Sequence, residues 1–254
     1  MPQSRRPYFW LGGQLPGGDL GPDQPMVMMD PSPLLYKRRG IDFQRDHFTR
    51  EIQAHQAEGP YLLGGFCYGA LVAYEVATRL AADGHVIQLL TLVHPSRLGP
   101  VPFPRGLRIA RRAALSLLHP STVVSYISQQ FPPTAQRRAA ASPEQRLGSL
   151  LSDYTSSFDV LAAKSVENYV PQPYDGRVTF IVGDRMPNGM FCRTVYEPLV
   201  RGGMDVYRVP AADWKELHAS PVLAKRIRAC IDDSLASAPG AVKARQGATA
   251  MQAR

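Results

Sequence analysis

The chain has 254 residues, 44% of them apolar, and a formal net charge of +8, which is enough length to bury a full core in one α/β domain. No apolar run reaches the length of a membrane span, and the opening Met1-Pro-Gln-Ser-Arg-Arg-Pro leads into no long apolar stretch, so neither a signal peptide nor a membrane partner is expected. Cys67, Cys192 and Cys230 are odd in number and unpatterned, which argues against a disulfide framework or a metal site and fits a reducing cytoplasm.

In chain order, strand-like apolar runs fall at 8–11, 26–29, 61–63, 86–93, 178–182 and 206–209. Helical spacing appears at 48–57, at 70–82 with Gly84 as a stop, at 153–169 and at 222–235. This alternation predicts an α/β fold, with a mostly parallel sheet and helices on both faces. From 95 to 165 the alternation breaks, and helical patterns at 107–118, at 122–130 and from 144 onward are separated by proline-rich breaks. A helical insertion after a strand's C-terminal end sits over the site edge of such a sheet, so residues from about 97 to 152 are expected to form a lid. One domain is expected over 1–238, and 239–254 reads as a disordered tail.

The most informative stretch is 60–70, where a short apolar strand runs into Gly65-Phe66-Cys67-Tyr68-Gly69 and a helix follows at once. The pattern is that of a nucleophile elbow with a thiol in place of the hydroxyl, the glycines keeping side chains out of a tight strand-to-helix turn. Such a turn lifts Cys67 to the helix start. There the Tyr68 N–H can serve an oxyanion, and the helix dipole favours thiolate over thiol. The competing reading is a buried structural cysteine.

The positive charge is concentrated. Arg97, Arg105, Arg108, Arg111, Arg112, Arg137 and Arg138 fall in a stretch that carries no Asp or Glu. No nucleic-acid motif or interleaved aromatics accompany them, so no nucleic-acid partner is expected. An acidic protein or a phosphate-bearing group is the better match, beside the plain alternative of a solvated basic face.

The elbow, the helix Ala70-Leu-Val-Ala-Tyr-Glu-Val-Ala that follows it and the later Pro173-Tyr-Asp-Gly-Arg-Val-Thr occur in order, and together they closely resemble the thioesterases of nonribosomal peptide and polyketide synthases. The resemblance implies an α/β-hydrolase fold. It also implies a substrate carried as a thioester on the phosphopantetheine arm of an acyl or peptidyl carrier protein, with no cofactor of the chain's own. Cysteine variants in that family include Dieckmann-type cyclases and shuttles between carriers.

The family places its catalytic acid after the strand that follows the elbow helix, which is His94 here, and its histidine in a loop that aligns onto Val209-Pro-Ala-Ala-Asp213. Acid and base have exchanged positions. The resemblance therefore implies a Cys67/His94/Asp213 triad, which chemistry permits because a triad is defined by geometry and not by chain order. His94 capping a loop and Asp213 capping a helix are the plainer readings. A conventional arrangement, Cys67/Asp184/His218, stays open, as does a simple turn at Gly183-Asp184. The second oxyanion donor is expected from Gly13 or Gln14, in a loop that reaches the next strand within about a dozen residues and trims the front of the pocket. Arg105, Arg108 and Arg112, spaced to share a helix face, are the expected carrier-binding residues.

The implied activity is acyl transfer from the carrier to Cys67 and release by ring closure, with His94 as base. An acyl shuttle, an editing hydrolase and a degraded carrier-binding protein are the alternatives.

Overall fold

The computed structural model describes residues 5–95, 158, 160–162, 164–166, 169–185 and 195–237. The expected lid, Arg105, Arg108 and Arg112, Cys192 and the expected tail lie outside the described residues. The chain divides into two compact units, residues 1–98 with 170–254 and residues 99–169, and the sheet with its flanking helices belongs to the first.

That unit contains β1 (Tyr8–Leu11), β2 (Met26–Met29), α1 (Ser32–Tyr36), α2 (Ile41–His55), β3 (Tyr61–Phe66), α3 (Tyr68–Ala82), β4 (Ile87–Val93), β5 (Val178–Gly183), β6 (Met204–Val209), α4 (Trp214–Ala219) and α5 (Pro221–Ala236). The strands form one sheet in the order β2-β1-β3-β4-β5-β6, and every neighbouring pair is parallel. The central strands are buried on both faces, as a parallel sheet requires: Tyr8 to Leu11, Tyr61 to Leu63 and the whole of β5 have almost no exposed surface.

One face of the sheet packs Tyr8, Trp10, Leu62, Val93 and Ile181 against Leu217 of α4 and Leu223, Ile227 and Ile231 of α5. Each such aliphatic side chain contributes roughly 1.5–3 kcal/mol by leaving water. Helices α2 and α3 pack on each other, and α3 lies along β1, β3 and β4. Its sequence is apolar all round, so almost every residue from Tyr68 to Ala77 is buried.

All six expected strands are present, β1 and β2 with the expected bounds and the other four with shifted ends. β3 continues through two glycines that discourage a strand reading, because Gly64 lies where a Cβ would strike the Tyr8 and Thr91 hydroxyls between β1 and β4. α2 starts at Ile41, earlier than expected, because its first turns are outwardly polar and hold Ile41 and Gln44 alone against the core. α1 and α4, of five and six residues, are too short to show a helical period and were not expected. Among the described residues no helix is long and apolar enough to cross a membrane.

Residues 12–25 return from β1 to β2 without a helix. Leu15 and Leu20 anchor this crossover in the core, the Gly17 N–H donates to the His218 carbonyl at 2.8 Å, and Arg228 Nη1 donates to the Leu20 carbonyl at 2.6 Å. Gly17, at φ +79°, passes so close to α5 that a Cβ there would lie 2.2 Å from the Ser220 oxygen. The crossover thereby ties the loop after β1 to the α4–α5 junction.

Candidate active site

The sharp turn from β3 to α3 has Cys67 at φ 53° and ψ −117°, a backbone conformation that a β-carbon resists. Sterics dictate both flanking glycines. A Cβ on Gly65 would meet the Gly69 carbonyl oxygen at 2.4 Å, and one on Gly69 would meet the Leu11 oxygen at 2.0 Å. Each clash is with backbone, so no side chain at either position can be accommodated by a rotamer change. Cys67 is half-buried at the head of α3, and its N–H donates to the Val93 carbonyl at 3.0 Å.

That hydrogen bond puts His94, the next residue of the neighbouring strand, alongside Cys67. His94 also has positive φ, 43°, and its N–H is held by the Ile181 carbonyl at 2.9 Å. Cys67 and His94 are two of three non-glycine residues with positive φ among the described residues, the third being Arg38. Strained backbone of this kind gathers at functional sites. The His94 Nδ1 is buried and has no hydrogen-bond partner among the described residues, and burial pushes the imidazole below its ordinary pKa, so the ring is held neutral.

Tyr68 follows Cys67 at the first position of α3, and its N–H is the expected oxyanion donor. The ring is buried and its hydroxyl accepts from Gln44 Nε2 at 2.9 Å, while the same nitrogen donates to the Arg39 carbonyl at 2.8 Å. Gln44 has no exposed surface. Its role was not read from the sequence, yet a signal existed: Gln44 falls in register with Ile41, Phe48 and Ile52 on the buried stripe of α2. Gly13 and Gln14 sit exposed just past the C-terminal end of β1, and a Cβ on Gly13 would meet nothing within 4 Å.

Asp213 is the N-cap of α4. Its Oδ1 accepts from the N–H groups of Lys215 at 2.8 Å and Glu216 at 2.9 Å. It is exposed at the helix head. Glu216 folds back to accept from Ala212 N–H at 2.7 Å, so the 212–216 turn is doubly fastened.

His218 lies on the last turn of α4 with its ring edge-on to Phe66, centroids 5.5 Å apart, next in sequence to Cys67. Among the described residues no hydrogen bond joins Asp184 to His218, and none joins Asp213 to His94. The Asp184 Oδ1 accepts instead from Ala211 N–H at 3.0 Å, stapling the end of β5 to the loop that leads to Asp213. The structure thus brings together Cys67, His94 and Tyr68 at adjacent strand and helix ends, with His218 against Phe66 and Asp213 at the far end of the same short helix. Among the described residues no group of three His, Cys, Asp or Glu side chains is placed to hold a metal.

A family model described as the thioesterase domain matches residues 45–230, well over half of the chain. The chain belongs to the thioesterase domain family. The matched span runs from α2 through the elbow and β6 into α5, so it covers Cys67, Tyr68, His94, Asp184, Asp213 and His218 but not Gly13, Gln14 or Gln44.

A non-reducing polyketide synthase of Pseudevernia furfuracea is 28% identical over 162 residues, which is 63% of this chain and 6% of that protein. Orsellinic acid synthase of Emericella nidulans is 48% identical over 46 residues, 18% of this chain and 2% of that protein. The polyketide synthase PksR of Bacillus subtilis is 28% identical over 101 residues, 35% and 4% respectively. The chain therefore spans a few per cent of the length of these curated relatives.

Among solved structures, the NocB thioesterase domain in covalent complex with a fluorophosphonate nocardicin G analogue superposes with a TM-score of 0.56 at 21% identity, over 92% of this chain and 96% of that one. The RedJ thioesterase from the prodiginine pathway of Streptomyces coelicolor gives 0.53 at 16% identity, over 89% and 84%. At these identities the likeness concerns the fold, which is that of an α/β-hydrolase.

Proposed function

We propose that this thioesterase-family chain takes an acyl group from the phosphopantetheine thioester of an acyl or peptidyl carrier protein onto Cys67 and releases it by ring closure, with His94 as the base. The observation that carries the reading is the cysteine elbow with a neutral, half-buried imidazole on the adjoining strand end.

In the first step the Cys67 thiol gives its proton to His94 and its sulfur attacks the thioester carbonyl. The oxyanion is met by the Tyr68 N–H and an amide of Gly13 or Gln14. The carbon–sulfur bond to the arm then breaks, and the proton on His94 passes to the departing pantetheine sulfur. Thioester is exchanged for thioester, so the step is close to thermoneutral.

In the second step a carbon acid, amide nitrogen or hydroxyl of the same acyl chain loses its proton to His94 and attacks the Cys67 thioester. The Cys67 thiolate leaves and recovers the proton. A thioester keeps its carbonyl more electrophilic than an ester does, which suits attack by such weak nucleophiles. Asp213, at the head of α4, is assigned to orient the imidazolium that forms transiently. Arg105, Arg108 and Arg112 are assigned to the acidic carrier surface or the phosphate of its arm.

Intact-protein mass after mixing with a short acyl-thioester mimic of pantetheine tests the reading. The expected result is a one-acyl adduct that decays with formation of a cyclic product when the acyl chain carries an internal nucleophile. Rapid release of free acid from many acyl groups identifies an editing hydrolase. Decay only on adding a second carrier thiol identifies a shuttle. An unreactive Cys67 leaves a carrier-binding protein without catalysis.

A further inference from the structure

A cavity of about 550 Å³ opens beside α2 and α3, walled by Arg45 of α2, Thr78 and Arg79 of α3, the segment 172–175 and Arg201. Glu75 of α3 forms its floor. The side chain lines the cavity yet is only 2% exposed, and its Oε1 is buried with no hydrogen-bond partner among the described residues. A buried carboxyl oxygen is ordinarily bonded, so an orphan of this kind calls for an explanation.

The three arginines of the cavity are only partly committed. Arg45 gives Nη1 to Asp42 at 2.8 Å and Nε to Asp46 at 2.9 Å, Arg79 gives Nε to Asp83 at 2.9 Å, and Arg201 gives Nη1 to Asp175 at 3.2 Å. A guanidinium has five N–H groups, so each keeps donors for a further acceptor. Of those acids only Asp175 lines the cavity. Burial raises the Glu75 carboxyl to about 8, with Arg45 opposing, so at neutral pH it keeps its proton and is a donor as well. The cavity therefore meets its contents with three cations, one carboxylate and an acid O–H. It is rich in donors and short of acceptors.

Its walls are already fixed. The Tyr74 hydroxyl donates to the Gln172 carbonyl at 2.8 Å, the Tyr174 N–H to the Leu199 carbonyl at 2.8 Å and the Arg201 N–H to the Tyr174 carbonyl at 2.9 Å. Preformed clefts of this volume are the usual form of a small-molecule site. Glu75 lies eight residues after Cys67 along α3. At 1.5 Å per residue that is about 12 Å, which sets the cavity apart from the elbow.

We propose that this cavity binds a small organic anion, whose carboxylate or phosphate head accepts from Arg45, Arg79, Arg201 and the Glu75 carboxyl while a short apolar body packs on Ala82 and Pro173. The planar N–H pairs of a guanidinium match two oxygens of such a head at once. A cationic ligand is repelled by the three arginines.

Calorimetric titration of the full chain with butyrate, butyl phosphate and butylammonium at pH 6.5 reads the proposal. One anion should bind at a single site, the tighter of the two naming the head, and butylammonium should not. Butyrate should bind about tenfold more weakly at pH 9, where Glu75 has lost its proton. The charged groups facing Glu75 are Arg45 and Asp42 of α2, Arg79 of α3, and Arg201 with Asp175. Arg79→Gln combined with Arg201→Gln, both at exposed positions, should weaken butyrate at least tenfold and leave acyl transfer unchanged. Glu75→Gln keeps the shape and a donor, so it should bind butyrate at pH 6.5 and lose the difference between the two pH values. No binding of either anion, binding indifferent to the arginine changes, butyrate equally tight at pH 9, or a pH 9 loss that persists in Glu75→Gln would each overturn it. Preference for butylammonium would do so too, by making the cavity a cation site on an ionised Glu75.

Discussion

Cys67 and His94 stand side by side at the ends of adjacent parallel strands, joined through the Cys67 N–H to Val93 carbonyl bond, and both are held at positive φ. The strain at each is fixed by the sheet itself. β3 and β4 are interior strands, and the bonds that lock Cys67 to Val93 and His94 to Ile181 continue the sheet past its last ladder pairs. With Cys67 as the proposed nucleophile and His94 as the proposed base, this placement would preorganise the pair through the fold, with no loop needed to order it.

If His94 is the base, as proposed, its neutral state sets the pH dependence of acylation. Burial lowers its pKa, so the ring stays unprotonated to a pH below the ordinary imidazole range. A general base must be neutral to act, so single-turnover acylation should hold its rate as pH falls through that range and drop below it. His94→Gln should lower the rate by orders of magnitude and abolish that acid limb. Retention of the limb in His94→Gln would assign it to another group.

Covalent acylation should be confined to Cys67. Cys230 is buried in α5 and its thiol is pushed up to about 11 by burial, which leaves almost no thiolate at neutral pH. Peptide mapping after treatment with an acyl-thioester mimic should place the adduct on Cys67 in wild type and find none in Cys67→Ala. An adduct on Cys67→Ala would remove Cys67 from the mechanism.

The sheet was legible in the sequence because each strand is an apolar run bounded by turn residues, and the elbow because its glycines answer a steric demand that few other turns make. Three things were not legible. Gln44 holds Tyr68 across two helices, a contact between positions far apart in the chain that no local pattern encodes. The Asp184 bond to the Ala211 N–H joins the ends of two strands separated by a long loop, which no local pattern encodes. The length of α2 was underestimated because its exposed face carries Asp42, Arg45 and Asp46, which pair with one another and hide the apolar period.

Glu75 gives the fold a pH-dependent stability. It lies buried on α3, and its carboxyl is raised from 4.5 to about 8, by burial first, with nearby Arg45 opposing the shift and Asp42 adding to it. The folded state keeps a proton there that the unfolded chain releases, so its contribution to stability is full below about 4.5 and is lost as pH rises toward about 8. One such group changes stability by at most about 1.4 kcal/mol per pH unit. Thermal unfolding at several pH values across that window should show Tm falling with pH more steeply in wild type than in Glu75→Gln. Equal slopes would mean that Glu75 is ionised in the folded protein.

The assignment of Asp213 can be separated from its work as a helix cap. Its Oδ1 caps α4, and Asn caps a helix about as well as Asp does, whereas Ala costs about 1 kcal/mol. Asp213→Asn should therefore leave Tm unchanged and still cut acyl transfer by orders of magnitude, because an amide cannot stabilise the imidazolium on His94. Asp213→Ala should lose both. If His94 and Asp213 act as one unit, the double variant should be little slower than His94→Gln alone. His218→Ala, which removes only the ring packed on Phe66, should then be mild. A severe loss in His218→Ala, with Asp213→Asn near wild type, would transfer the role of base to His218 and leave Asp213 as a cap alone.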